Sequence, residues 1–364
     1  MKRFFFVFLA GALAVGMCSC NKEPVSGMDS SLTVQLSGGE VATKGDATTE
    51  EKAVTSLVLY VFDGNGMLDV AHECTSAELA PDTYGVRSVT FPVKTGNKTV
   101  FALANAPSAV RTAADACAQL SDLQAVSVSL DDNTATSFVM TGSGTKTLTS
   151  ANSSEPVSVI LSRPVAKIRL GRLTNSLPGP YGNITIKHVF LCNVVTNQNL
   201  AGTANASTWI NKSGTDHSQG SDKYYTIGYS GHAAQNALTF QDLNNHTVNS
   251  SSYYDFNKVM YAMPNDVNLG GSLADPNGYN ATFTPTATTM MVVATILGQD
   301  YYYPVALKTS PGISRNSEYT VNLTLVGLGN TIAEGPFNKI EKANIQASIT
   351  VSNWTDGATY TESL

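Results

Sequence analysis

Apolar and polar residues alternate with a period of two along most of this chain, which is the pattern of half-buried strands. Leu32-Thr33-Val34-Gln35-Leu36 alternates strictly before Gly38-Gly39 interrupts it. Val54 to Phe62 is the next predicted strand, followed by Asp63-Gly64-Asn65-Gly66, residues suited to the positive φ of a tight turn. Arg87 to Val93, Lys98 to Asn105, Val157 to Leu161 and Arg163 to Leu170 continue the pattern. Ile184 to Val195, Lys258 to Met263, Tyr279 to Thr284, Met290 to Leu297, Tyr301 to Leu307 and Glu318 to Val326 follow. The last predicted strand, Asn344 to Trp354, places Ile345, Ala347, Ile349 and Val351 on one face and Gln346, Ser348, Thr350 and Ser352 on the other. Helical spacing is found over Ser108 to Leu120, where Val110, Ala113, Ala114, Cys117 and Leu120 share a face; Ser121-Asp122-Leu123 starts a second short turn. Glu40 to Glu51 reads as an exposed polar stretch, and Thr196 to about Ser252 as a long Asn/Ser/Gly-rich insertion. A Ser/Thr/Asn loop from Thr147 to Glu155 places a boundary near Glu155, with Val157 to Leu161 closing one domain before Arg163 to Leu170 opens the next. The economical fold class is all-β: two Greek-key β-sandwiches in tandem, with short helices in the first.

The N-terminus breaks this pattern. Lys2 and Arg3 precede an uncharged apolar run, Phe4 to Val15, too short for a permanent membrane span and therefore a secretory signal. The run ends at Met17-Cys18-Ser19-Cys20, which resembles a lipobox, with Cys20 as the lipidated residue because small Ser19 precedes it. Ordinary signal cleavage, discarding both cysteines, is the alternative. Asn21 to Gly27 is a polar tether.

Composition narrows the function classes. Only 14% of residues are charged, and the whole chain carries a formal charge of −6. Without residues 1–44, 18 basic residues face 25 acidic ones, and this balance argues against nucleic acid as a partner. Beyond Cys20 only Cys74, Cys117 and Cys192 remain, an odd number at wide spacing that reads as buried free thiols. His72, His188, His217, His232 and His246 sit in unrelated contexts, so no metal site and no cofactor are expected. Asp63 to Met67 lacks the downstream glutamate of a calcium loop, and Gly142-Ser143-Gly144 lacks the strand–turn–helix context of a nucleophile elbow. Asp131-Asp132 and Glu50-Glu51 read as solvated turn residues rather than a catalytic pair. No enzyme is expected. Tyr224-Tyr225, Tyr253-Tyr254 and Tyr301-Tyr302-Tyr303 offer a sugar-stacking platform or the edge of a core.

Four segments together carry a family resemblance. They are the lipobox with Leu32 to Leu36 and Ala42-Thr43-Lys44-Gly45; Ser56 to Asp63 running into Gly64-Asn65-Gly66, with Val100 to Ala106 behind it; Leu161-Ser162-Arg163-Pro164-Val165-Ala166-Lys167-Ile168; and Tyr302 to Val305 with Arg315 to Val321 and Val351-Ser352-Asn353-Trp354. In order and spacing the chain resembles the Mfa1/FimA fimbrillins, pilus subunits of Bacteroidales. The resemblance implies two transthyretin-like sandwiches. It divides the chain into a signal peptide (1–20), a propeptide with the first strand (21–44), an N-terminal domain (45–156) and a C-terminal domain with a terminal donor segment (157–364).

It also implies a mechanism. A lipidated precursor reaches the outer membrane, a surface protease cuts after a basic residue, and the first strand leaves with the lipid. Leu32, Val34 and Leu36 would be displaced, and a strand from another fimbrillin subunit would fill the groove. Ile345, Ala347, Ile349 and Val351 have the alternation a donor needs; alternatively Asn344 to Trp354 is a core strand and Thr355 to Leu364 donates. Well-known members are cut after arginine, but here no arginine lies between Arg3 and Arg87. Lys44, before Gly45, holds the expected place. Left uncut, the same chain is a lipid-anchored base. The competing expectation is a non-polymerising surface lipoprotein that binds a host glycan or protein through an aromatic patch.

Overall fold

The computed structural model describes residues 30–37, 48–80, 87–149, 156–210, 237–265, 288–307, 312–331, 344–353 and 359–363. The first part comprises β1 (Ser30–Ser37), α1 (Thr49–Lys52), β2 (Leu57–Phe62), β3 (Leu68–Glu73), α2 (Ser76–Leu79), β4 (Arg87–Val93), β5 (Gly96–Ala104), α3 (Ser108–Asp115), α4 (Leu120–Ala125), β6 (Ser127–Ser129), β7 (Met140–Leu148) and β8 (Val157–Ile160). Two sheets, ordered β4-β1-β8 and β3-β2-β5-β7, enclose the first core. β8, the segment read as closing the first domain, pairs with β1 in this first sandwich.

The second part contains β9 (Ala166–Asn175), β10 (Ile184–Cys192), β11 (Val194–Asn199), β12 (Ala204–Ile210), β13 (Phe240–Val248), β14 (Ser252–Ala262), β15 (Thr289–Ile296), β16 (Gln299–Ala306), β17 (Ser317–Leu325), β18 (Ile345–Asn353) and β19 (Thr359–Ser363). Its sheets run β13-β10-β15-β16 and β14-β9-β17-β18-β19. A third sheet, β12-β11-β6, crosses between the two sandwiches. The chain is all-β; among the described residues the α-helices belong to the first part, and one 3-10 turn, Gly179–Tyr181, lies in the second. Among the described residues no helix is long and apolar enough to cross a membrane.

Local chemistry sets the element boundaries. Asp63 Oδ1 accepts the Asn65 and Met67 amides at 2.8 and 2.9 Å, and Gly66 takes φ +77°, so the predicted turn joins β2 to β3. The helix predicted over Ser108 to Leu120 stops at Asp115, and the second short turn predicted from Ser121 is α4. The amide of Leu68 bonds to Ala118 O and that of Leu120 to Gly66 O, so residues 118–120 pair with the β2–β3 turn and cannot continue α3. Ala113, expected on the buried face, is exposed. The predicted strand Ile184 to Val195 is also divided, because Asn193 takes φ +54° between β10 and β11. The described part of the Thr196–Ser252 insertion is largely strand rather than loop. Phe240–Val248 carries few apolar residues, and Asn244 and Asn245 at positive φ disrupt its alternation. Tyr279 to Thr284 lies outside the described residues.

One buried group makes stability depend on pH. A bulge between Ile186 and His188 turns the His188 ring in beside Phe190 and Phe240, at 5.9 and 5.7 Å between centroids. Its Nε2 has no hydrogen-bond partner. Burial, reinforced by Lys187, pushes the imidazole down to about 4; Asp242 and Asp300 oppose the shift. A depressed histidine makes the unfolded chain bind protons first. The associated stability is therefore complete above pH 6.5 and falls as pH drops toward 4. Wild type should lose about 3 kcal/mol more than His188→Phe between pH 7 and pH 4, measured by urea unfolding at each pH.

Candidate functional site

The first strand is an interior strand. β1 pairs antiparallel with β4 over Ser30–Leu36 and parallel with β8 over Val34–Ser37. Its alternation decides which side chains enter the core: Leu32, Val34 and Leu36 are 0%, 0% and 1% exposed. Thr33 lies on the other face, its hydroxyl 2.9 Å from that of Thr90. Each buried aliphatic contributes roughly 1.5–3 kcal/mol when shielded from water. Withdrawing β1 would empty three core positions and leave two strand edges facing one slot.

The flanking strands have their own attachments to the opposite sheet. β8 lies close over β7, where a methyl group on Gly142 would overlap the Ile160 carbonyl and one on Gly144 would sit 2.7 Å from Ser158 O. The Thr141 amide also donates to Ser162 O at 3.1 Å, and the Thr141 carbonyl accepts from the Ser162 amide at 2.9 Å. At the far side the rings of His72 (β3) and Phe91 (β4) stack at 4.6 Å with 2° between planes. Arg87, at the start of β4, donates from Nε to Leu79 O at 2.8 Å. Arg87 is 5% exposed, so the first arginine after Arg3 is buried.

A buried ionic knot holds the chain that follows β1. Thr48 and Glu51 form a capping box on α1: the Thr48 amide bonds to Glu51 Oε2 at 2.8 Å, and the Glu51 amide to Thr48 Oγ1. The same Oε2 receives Lys167 Nζ at 3.0 Å, and Oε1 accepts the Tyr261 hydroxyl. Arg163 Nε donates to the Glu51 carbonyl at 2.9 Å. Glu318 lies 3.9 Å from Lys167 and pairs with Arg169 at 2.7 Å. Burial lowers the Arg163 guanidinium to about 10 against the opposing pull of Glu51; burial, then Glu51, raises the Tyr261 phenol. Glu51 was expected as a solvated turn residue, but it is 2% exposed, because Arg163, Lys167 and Tyr261 close around it.

The remaining sequence candidates scatter. Cys20, Lys44, Gly45, Tyr224, Tyr225, His217 and His232 lie outside the described residues. Ile345, Ala347, Ile349 and Val351 lie on β18, between β17 and β19, with Ile349 and Val351 buried and Ile345 and Ala347 half-buried. Tyr302 and Tyr303 are core residues. Tyr253 and Tyr254 are exposed, with Arg172 stacked 4.0 Å over Tyr253. Cys74, Cys117 and Cys192 are free thiols. Contrary to the reading of unrelated contexts, His72, Cys74 and Glu78 converge, and His72-x-Cys74-x-x-x-Glu78 was the available signal.

Comparison with known proteins fits this architecture. Residues 30–170 match the family model of the major fimbrial subunit protein (FimA). The matched segment begins at the first residue of β1 and ends inside β9, so it includes β1, β4, β8, Glu51 and Lys167. The chain is fimbrillin-like. A fimbrilin (FimA) from Porphyromonas gingivalis superposes with TM-score 0.57 at 14% identity, covering 90% of this chain and 98% of that one. The tip fimbrial protein Mfa3 of the same organism, with a C-terminal truncation, gives 0.51 at 17%, covering 89% and 99%. A candidate cell adhesion protein from Parabacteroides distasonis gives 0.60 at 17%, covering 89% and 99%. At these identities the structures establish a shared fold. No curated protein sequence matches the chain.

In this fimbrillin-like chain the ionic knot should be costly to break from one side. Lys167→Met leaves Glu51 buried without its cation and should cost about 3–5 kcal/mol in urea unfolding, and adding Glu51→Gln should recover part of that loss. A single-mutant loss below about 1 kcal/mol would show that the knot does not hold α1.

Proposed function

We propose that the chain is a fimbrial subunit made as a lipoprotein precursor and assembled by strand exchange. Cys20 carries the lipid that holds the precursor at the outer membrane, and a surface protease cuts between Lys44 and Gly45. β1 then leaves with the lipid, and another fimbrillin subunit supplies a strand to the slot between β4 and β8. The observation that carries this reading is the position of β1: an interior strand with three buried side chains, joined to its domain through residues 38–47. The match of residues 30–170 to the fimbrial subunit family supports the same reading.

The C-terminal hairpin is the proposed donor. β18 presents Ile345, Ala347, Ile349 and Val351 at alternate positions, the spacing with which Leu32, Val34 and Leu36 fill the slot. β19, paired over five residues at the edge of its sheet, would be released first. The Glu51 knot would hold the new N-terminus in place once β1 is gone. A second reading rests on exposed Tyr253 and Tyr254: a lipid-anchored surface protein that binds host glycan or protein through aromatic stacking.

Intact mass of the cell-surface protein, followed by denaturing gels, tests the scheme. The expected product begins at Gly45, has lost the lipid, and forms ladders. Lys44→Gln should remain full length and monomeric. Deleting residues 345–364 should abolish ladders after normal cleavage, whereas deleting 359–364 alone should reduce them if β18 is the donor. Processed protein that stays monomeric at high concentration would refute strand exchange. A lipidated, uncleaved chain with measurable sugar affinity lost in Tyr253→Ala/Tyr254→Ala would establish the second reading.

A further inference from the structure

We propose that His72, Cys74 and Glu78 form a zinc site that clips the β3 edge of the first sandwich to the helix before β4. His72 lies on β3, Cys74 follows the last residue of that strand, and Glu78 comes from α2. One ligand atom from each lies within 4.8 Å of the other two, and His72 Nε2 is already 3.0 Å from Glu78 Oε1. A tetrahedral zinc with bonds of about 2.0–2.3 Å spaces its ligands a little over 3 Å apart, so small side-chain adjustments place the ion between these atoms. Imidazole, thiolate and carboxylate form a borderline-soft set that favours zinc over magnesium or calcium. Three protein ligands leave a fourth position for water.

The supporting contacts are those of a built site. Thr75 donates its amide (2.7 Å) and hydroxyl (2.9 Å) to Glu78 Oε2, so capping α2 uses one carboxylate oxygen and leaves the other aimed at His72. The Phe91 ring, stacked on His72, fixes the imidazole plane and connects the site to β4. Cys74 is buried, and a bound dication would displace its thiol proton. Binding therefore releases a proton and weakens as pH falls. The clip lies where β3 and β4, edge strands of opposite sheets, meet. In the strand-exchange reading β4 must stay in place while β1 is absent; the zinc site itself does not depend on that reading.

Cobalt titration of the full chain tests the proposal. One equivalent should give a tetrahedral visible spectrum with a thiolate-to-metal charge-transfer band, both displaced by zinc. Cys74→Ser should abolish the charge-transfer band, and Cys117→Ser and Cys192→Ser should retain it. His72→Ala and Glu78→Gln should each weaken zinc binding by about tenfold or more. Zinc should raise the unfolding temperature of the wild-type chain, and a chelator should reverse the rise. Absence of the band in wild type, or its persistence in Cys74→Ser, overturns the site whether or not the chain polymerises. Subunits that fail to form ladders but show the band would retain the site and refute only the assembly scheme.

Discussion

The structure depends on a strand that is hydrogen-bonded along both edges. A terminal strand at a sheet margin can detach and leave one open edge. β1 instead separates β4 from β8, so its departure divides a sheet and exposes an apolar channel. The first sandwich carries features matched to that arrangement. β8 is held against β7 by the close approach that Gly142 and Gly144 permit, and β4 is held against β3 and α2 by ring stacking and by Arg87. The slot therefore has walls attached independently of the strand between them.

The second constraint is electrostatic. A short helix of four residues cannot hold itself together in water. α1 persists because its capping glutamate also closes a buried set of charges from the second sandwich, and removing those charges from water is tolerable only when each is paired. That knot joins the two sandwiches immediately after the stretch that follows β1. It makes the helix, its Thr48 cap and the β9 lysine a single cooperative unit.

The fold was legible where burial follows simple alternation. Leu32, Val34 and Leu36, the Arg87–Val93 strand, and the Asp63–Gly66 turn carry their structure in their spacing. It was illegible where a distant segment overrides local preference. Nothing between Ser108 and Leu120 announces that residues 118–120 will pair with the β2–β3 turn. β13 hides its character because two asparagines at positive φ disturb the alternation and its outer residues are polar. Glu51 lies in a run of threonines and acids that resembles solvated chain, and its burial is decided by Lys167 and Tyr261, more than a hundred residues away. The spacing of His72, Cys74 and Glu78 signals a candidate cluster, but their convergence also requires a strand to end and a helix to begin within six residues.

The slot of β1 also has a direction. One wall runs antiparallel to its occupant and the other parallel, so the two ends of an entering strand meet different surroundings. In the proposed strand exchange such a contact would relate unlike patches on two copies: the strand of one and the slot of the next. Under the proposed strand exchange, repeating one such step would give an open helical array with distinguishable ends, unless its rotation closed the subunits into a ring. Growth would then proceed at whichever end presents an unfilled slot, and length would be set by subunit supply and by whatever caps that end.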